Sequence, residues 1–402
     1  MKIAMFTNNY KPYMGGVPIS VDHLAKALRE LGHEVYVFAP TYKEQEEEEY
    51  VVRYPSFPVA VVGAPIPNVL TSLFEKKIKE LSIDIIHVHH PALVGNVAIH
   101  LRKKYGIPVI FTYHTRYEAY LHYVKPLSWL EKGTGFVEKY LVWFCNQCDG
   151  IVAPTAGMRR YLESRQIETP ITILPTGIPI ESFTPRKELV TDLREQYGKD
   201  VDYLLCTVSR MAKEKNVEFQ LRGLVLLKEA LQKQQKTFRY LMIGDGPQLV
   251  ELKAMTKHLG LEKEVVFVGK VENEQIAAYL KACDLFAFSS KSETQGIVLL
   301  EAMAVGKPIV AVKASGVEDI VVEGVTGYMT QENEVTWKDR ILTILDNLPE
   351  RERMGRAAQN IAFNYEERRI ALAAVECYQR AVRGNAVYQR KNHWLHKYSI
   401  SS

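Results

Sequence analysis

No apolar run in the chain approaches the roughly 20 residues that span a bilayer. The stretch Met1–Thr7 carries one charged side chain and a short apolar run that stops at Asn8-Asn9. That is a strand pattern and not a secretory leader, so both features argue against secretion and against a membrane span. Cysteine is scarce, five in 402 residues and an odd number, which suits a reduced cytoplasmic chain better than a disulfide framework. Charge of one sign is not in excess either. With 51 Lys+Arg against 47 Asp+Glu, the net charge of +4 is too balanced for a nucleic-acid binder recognised by charge. No solenoid-type repeat is present. The G-x-G-x-x-G spacing is missing too, which counts against a nicotinamide or flavin enzyme.

What is present is ordinary globular material, 47% hydrophobic and 24% charged, at a length that predicts two domains. Short apolar strands alternate with helical patterns: Lys2–Thr7, Glu34–Ala39, Ile83–Val88, Val109–Tyr113, Gly150–Ala153 and Thr172–Leu174, with a helix at Val17–Leu31 stopped by Gly32. The acidic run 44–49 reads as a solvated loop. The pattern restarts with strands at Tyr203–Val208, Arg239–Ile243, Val265–Val268, Asp284–Ser289 and Pro308–Val312. Helices are predicted between them, at about 216–233, 247–258, 273–283 and 297–304, and then at 334–347 and 366–385. This predicts an α/β protein of two doubly wound parallel sheets, 1–180 and 181–365, with 366–402 as a terminal helix and basic tail returning to the first domain. The linker is placed at 176–200, where Gly177, Pro179 and Pro185 fall. Ligands of such sheets bind outside the carboxyl ends of the strands, so two facing domains would make one cleft.

Several motifs sit at those strand ends. Gly15-Gly16 follows the first strand and opens a helix, where backbone amides can approach a phosphate; alone it reads equally well as a tight turn. The loop Ser209–Asn216 holds the equivalent place in the second half, with Arg210 and Lys215 able to reach an anion. Gly244-Asp245-Gly246-Pro247 is a strand-to-helix turn with Pro at a first-turn position. The sharpest feature is Glu293-Thr294-Gln295-Gly296-Ile297-Val298, with Glu301 following inside an apolar helix. A carboxylate there is costly to bury without partners, for which sugar or ribose hydroxyls would be suitable; otherwise it reads as a surface Glu on an amphipathic helix. The pair Cys145/Cys148 lacks a second ligand pair for zinc. His87, His89 and His90 read as cleft lining sooner than as a metal site, because alternate strand residues face opposite sides.

Two glutamates with seven residues between them, followed by Ala-Met-Ala-x-Gly-x-Pro at 302–308, resemble the retaining nucleotide-sugar glycosyltransferases of family four. Gly15-Gly16, His114, Pro175-x-Gly177-Ile178, Arg210 with Lys215, and Gly244-x-Gly246-Pro247 carry the same resemblance across nearly the whole chain. Pro179 departs from it, since Asp usually follows Gly-Ile there. The resemblance implies the GT-B fold of two Rossmann-like domains and the following roles. Arg210 and Lys215 hold the donor diphosphate, backed by Gly15 and Gly16. Glu301 takes the ribose hydroxyls. Glu293 contacts the transferred sugar, and the amides near Gly296, Ile297 and Val298 support its hydroxyls or the phosphate. His114 lies near the sugar C6 region, Gly244 is counted with the donor site, and the base lies against Phe267–Val271. No metal or other cofactor is expected, and Asp200-Val201-Asp202 matches a D-x-D metal motif by chance.

For the acceptor, His114–Tyr123 and Tyr140–Asp149 resemble bacterial diacylglycerol glucosyltransferases. Tyr117, Tyr120 and Trp129 are the acceptor candidates in an aromatic and lysine-rich stretch that also holds Tyr123, Phe136, Tyr140, Trp143 and Phe144. Residues 374–402 carry five basic groups against one acidic, the whole surplus of the chain. The expected partners are therefore a UDP-sugar, a lipid acceptor and an anionic membrane surface, with the enzyme cytoplasmic and peripheral on the inner face of the cell membrane. The alternatives are a soluble or polysaccharide acceptor, or a non-catalytic sugar-nucleotide binding protein.

Overall fold

In a computed structural model that describes residues 1–13, 15–61, 64–68, 70–116 and 134–398, the chain divides into two units, 1–177 with 367–402, and 178–366. The first unit contains β1 (Lys2–Phe6), β2 (Glu34–Pro40), β3 (Val51–Tyr54), β4 (Ser56–Val61), β5 (Ala64–Pro67), β6 (Ile85–Val88), β7 (Val109–Thr112), β8 (Gly150–Ala153) and β9 (Ile171–Ile173). Seven of these form a sheet in the order β3-β2-β1-β6-β7-β8-β9, every pair parallel, and β4 and β5 make a separate antiparallel hairpin.

The strands are continuous apolar runs because both faces of the sheet are covered. On one face the helix Gly16–Glu30 buries Val21, Ala25 and Leu28 beside Ile370, Ala374 and Tyr378 of the C-terminal helix Glu367–Tyr398. On the other face, the rings of Phe6, Phe38 and Phe74 meet with centroids 4.8–5.4 Å apart, each buried ring contributing roughly 1.5–3 kcal/mol. Phe144, from the helix Thr134–Asn146, closes this core. Gly95 permits that packing, since a Cβ there would lie 2.9 Å from the Phe144 ring.

The second unit is a six-stranded sheet of β10 (Tyr203–Val208), β11 (Phe238–Ile243), β12 (Val265–Gly269), β13 (Leu285–Phe288), β14 (Ile309–Val312) and β15 (Gly327–Thr330). Its order is β12-β11-β10-β13-β14-β15, again all parallel. This is the doubly wound order, reversing direction between β10 and β13.

Where the structure departs from the sequence reading, the reasons are local. The stretch 176–200 is not a loose linker. Its second half is a helix, Lys187–Gly198, that buries Leu193 in the second unit and anchors Arg194 to Asp284 at 2.8 Å. β3, the β4–β5 hairpin, β15 and the helix Leu348–Ala362 were not anticipated. That helix buries only Met354, Gly355, Ala358 and Ala362 among charged neighbours, so its apolar period is faint.

Candidate functional site

The strand order of the second sheet reverses between β10 and β13, so the loops leaving these two neighbours open together at its carboxyl edge. The loop after β10 is laced to the turn after β11. Ser209 N–H donates to the Ile243 carbonyl (3.0 Å), Met211 N–H to Asp245 (2.9 Å), and Gln248 N–H back to Met211 (2.9 Å). Gly244, at φ +128°, allows this approach, because a Cβ there would stand 2.0 Å from the Ser209 carbonyl. From the other side, Ser289 Oγ at the end of β13 donates to the Lys215 carbonyl at 2.8 Å, and the Lys291 N–H donates to the Glu214 carbonyl at 3.1 Å.

Held from both sides, Lys215 places its Nζ 2.5 Å from Glu293 Oε1. Burial alone would raise the Glu293 carboxyl. The Lys215 charge and hydrogen bond, with one from Ser290, together outweigh it and hold the group below the ordinary carboxylate range. Glu293 is further fixed by Gly316 (φ +79°), where a Cβ would lie 2.7 Å from the Glu293 carbonyl and 2.9 Å from the Gln295 nitrogen. Reading the sequence missed Gly316 and the two serines after β13. The only signal was a glycine and a pair of small polar residues at strand ends.

Gly296, at φ +74°, caps the helix Ile297–Ala304. The first amides of that helix, at Ile297 and Val298, fall outside its own hydrogen-bond ladder and form a positively polarised end beside Glu293. One turn further in, Glu301 sits in apolar surroundings, and burial pushes its carboxyl up to about 7. Arg210 is exposed on the same loop as Lys215. The second unit therefore brings together Arg210, Lys215, Glu293, Gly296, Ile297, Val298 and Gly244 around one strand reversal, with Glu301 on the adjoining helix.

In the first unit Gly15, in extended backbone, precedes the helix that begins at Gly16 and has no acidic residue in its first turn. His114 follows β7, with its Nε2 2.8 Å from His89 Nδ1. The histidines in and just after β6 are not an open lining. His87 is fully buried between Tyr378 Oη (2.7 Å) and Thr112 Oγ1 (2.6 Å), and His89 is 1% exposed. Alternation puts these two on the same face, rings 4.2 Å apart, while His90 turns to accept from the Asn8 N–H at 3.1 Å. Cys145 and Cys148 are core side chains, the first with its thiol pushed up to about 12 by burial. Asp202 accepts from the Thr237 N–H (2.7 Å) and Oγ1 (3.0 Å), a local cap at the entry to β10. Tyr117, Tyr120 and Trp129 lie outside the described residues. Of the aromatics nearby, Phe144 is core, whereas Phe136 and Trp143 are 76% and 45% exposed.

Two family models match the chain: "Glycosyltransferase Family 4" over residues 14–182 and "Glycosyl transferases group 1" over 190–361. An alpha-monoglucosyldiacylglycerol synthase of Streptococcus pneumoniae is 32% identical over 321 residues, spanning 77% of this chain and 71% of that protein. The Acholeplasma laidlawii protein of the same name is 29% identical over 351 residues, 83% of this chain and 86% of the other. Among solved structures, the Anabaena protein HepE in complex with UDP and glucose superposes with a TM-score of 0.73 over 94% of this chain and 99% of that one, at 20% identity.

Proposed function

The chain belongs to the group 1 glycosyltransferases of family four, and from that premise we propose that it transfers glucose from UDP-glucose to diacylglycerol. In this reading the anomeric configuration is retained, no metal is required, and the enzyme works at the inner face of the cell membrane. The observation that carries the donor half is the Lys215–Glu293 pair at the strand reversal, beside the amides of Ile297 and Val298.

The chemistry follows from charge. As the glycosidic bond to the departing UDP breaks, negative charge builds on its diphosphate. The Lys215 ammonium and Arg210 guanidinium meet it with hydrogen bonds of roughly 1.5–3 kcal/mol each, and the helix end adds a fixed dipole. The Lys215 carbonyl is held by Ser289 before donor arrives, so little reorganisation of the loop is needed when charge develops. Glu293, ionised, accepts from hydroxyls of the transferred sugar. Glu301 accepts from the ribose hydroxyls, His114 contacts the sugar near C6, and Gly15-Gly16 back the diphosphate.

The acceptor half is supported by the two relatives named for monoglucosyldiacylglycerol synthesis. The exposed Phe136 and Trp143 on the helix Thr134–Asn146, with Lys139 between them, also favour an interfacial surface. No helix among the described residues is long and apolar enough to cross a membrane, so contact with lipid would be made from the surface.

The test is a donor panel of UDP- and GDP-sugars with and without diacylglycerol in anionic mixed micelles, scored for nucleotide release and lipid product. Glucolipid formed from UDP-glucose only when diacylglycerol is present is the expected result. Equal turnover without lipid would remove the acceptor while leaving the donor site in place.

A further inference from the structure

The first sheet has a strand reversal of its own. Its order runs outward from β1 through β2 to β3, and from β6 through β7 and β8 to β9. The loops leaving β1 and β6 therefore part at its carboxyl edge, the place where ligands of such sheets bind. Thr7–Asn9 follow β1, and His89–Leu93 follow β6.

Two side chains there are fixed by backbone groups that leave no choice of hydrogen position. The Asn8 N–H donates to His90 Nδ1 at 3.1 Å. An amide N–H cannot accept, so Nδ1 is the lone-pair nitrogen of that ring. Burial pushes His90 down to about 4, so the ring is neutral and its one proton lies on Nε2. Among the described residues the hydrogen-bond partners of the ring, the Asn8 N–H and Thr7 Oγ1 at 3.3 Å, are all at Nδ1. Asn8 Nδ2 in turn donates to the Ala92 carbonyl at 3.2 Å. A carbonyl cannot donate, so the carboxamide cannot be turned over. Its Oδ1 is buried without a hydrogen-bond partner. Two residues bonded to each other thus carry an N–H donor on a partly exposed ring and a carbonyl acceptor in need of a hydrogen.

Apolar surface adjoins this pair. Leu93, next to the Ala92 carbonyl, is 41% exposed at φ +59°, backbone that a bulky side chain rarely adopts and that folds keep at ligand-holding positions. The same loop meets the exposed aromatics. Tyr140 Oη lies 2.9 Å from the Pro91 carbonyl, and its ring is 5.7 Å from that of Trp143.

We propose that this reversal seats the glycerol head of the lipid acceptor: His90 Nε2–H donates to an ester carbonyl, Asn8 Oδ1 accepts from the free hydroxyl, and the acyl chains leave past Leu93 and Trp143. The proposal rests on the reading of diacylglycerol as the acceptor. That head offers one hydrogen, on its hydroxyl, and strong neutral acceptors in its two esters. A fully ionised phosphate brings no hydrogen for Asn8 Oδ1, and an ether oxygen is a poor substitute for the ester carbonyl.

The experiment compares dioleoylglycerol with its dioleyl ether analogue, which keeps the chains and the hydroxyl but lacks both carbonyls. Each is offered with UDP-glucose in anionic mixed micelles to the wild type, His90→Phe and Asn8→Ala, and UDP affinity is measured by calorimetry as a check on folding. The wild type should favour the ester lipid in kcat/KM by about tenfold, the worth of one hydrogen bond. His90→Phe should bring that ratio to about one. Asn8→Ala should lower kcat/KM for both lipids alike and keep the ratio, since both carry the hydroxyl. A wild type that uses the two lipids equally overturns the proposal and leaves diacylglycerol as the acceptor. So does a His90→Phe variant that binds UDP as the wild type does and still prefers the ester. If neither lipid is glucosylated and another acceptor is, the diacylglycerol reading has failed and this site fails with it.

Discussion

Lys215 and Glu293 make opposite demands on one another, and this gives them separable tests. Replacing Lys215 by Ala removes a cation proposed to meet the developing charge, so turnover should fall about 100-fold or more, a loss typical of a removed transition-state donor. Unchanged turnover would take that role away. In Glu293→Gln the carboxylate that occupies Lys215 in the resting site is gone. Turnover should fall, but UDP should bind at least as tightly as to the wild type when titrated in a calorimeter. A tenfold weaker UDP would mean that Glu293 holds Lys215 in position and does not compete for it. Glu301 is tested by pH. Its folded value, about 7, exceeds its ordinary 4.5, so between these the folded protein keeps a proton that the unfolded chain has released. Stability therefore falls as pH rises through that window, by at most about 3 kcal/mol. Denaturant melts at pH 5 and pH 7.5 should show this slope in the wild type and its loss in Glu301→Gln. Over the same range the donor KM should drop as the carboxylate forms, and this too should vanish in Glu301→Gln.

At the scale of elements, the site depends on loops being pinned to each other, and glycines mark the pins. Gly244→Ala puts a Cβ 2.0 Å from the Ser209 carbonyl at a φ of +128°, so either the turn or the loop bearing Arg210 must move. The expected outcome is a melting temperature lower by several degrees together with a raised donor KM; a stable variant with unchanged KM would mean the loop is not held this way. The strands of both sheets were legible because each is a short run buried on both faces, and Tyr203–Val208 and Gly150–Ala153 fall where the residues predict them. The helix Leu348–Ala362 and the four-residue β3 were not, since one is charged over most of its surface and the other follows an acidic loop without a turn signal. At the site, Glu293 and Lys215 each stood out in sequence, but their contact did not. It depends on Ser289 and Gly316, small residues whose positions carry meaning only once β10 and β13 are neighbours. The histidines were misjudged for a related reason. Alternation correctly separates His90 from His87 and His89, but no local pattern tells that Tyr378, 291 residues away, comes to cover His87.

At the scale of the whole molecule, the proposed lipid acceptor requires something to bring a chain of nearly balanced charge to a membrane surface. Net charge cannot do it: of 51 basic groups all but a few are matched by 47 acidic ones, and those matched charges cancel beyond a Debye length of about 8 Å at physiological salt. The surplus is local, in 374–402, where Arg390, Lys391 and Lys397 accompany Trp394. Each cation near an anionic surface contributes about 1 kcal/mol, so three together amount to about 3 kcal/mol, or roughly 100-fold in partitioning. Vesicles containing anionic phospholipid should therefore co-sediment the wild type at low salt, release it as salt rises, and bind the Arg390→Gln/Lys391→Gln/Lys397→Gln variant about 100-fold more weakly. Vesicles of neutral lipid should retain whatever binding Phe136 and Trp143 supply, since burying those side chains does not depend on salt, and a Phe136→Ser/Trp143→Ser variant should lose it. The two contributions act on one event, so removing both should abolish lipid-dependent turnover while leaving UDP affinity intact, because Lys215 and its neighbours belong to the other unit. Wild-type protein that ignores anionic vesicles at low salt yet still glucosylates diacylglycerol in detergent would separate acceptor chemistry from membrane attraction, and would leave the basic stretch without a part in the reaction.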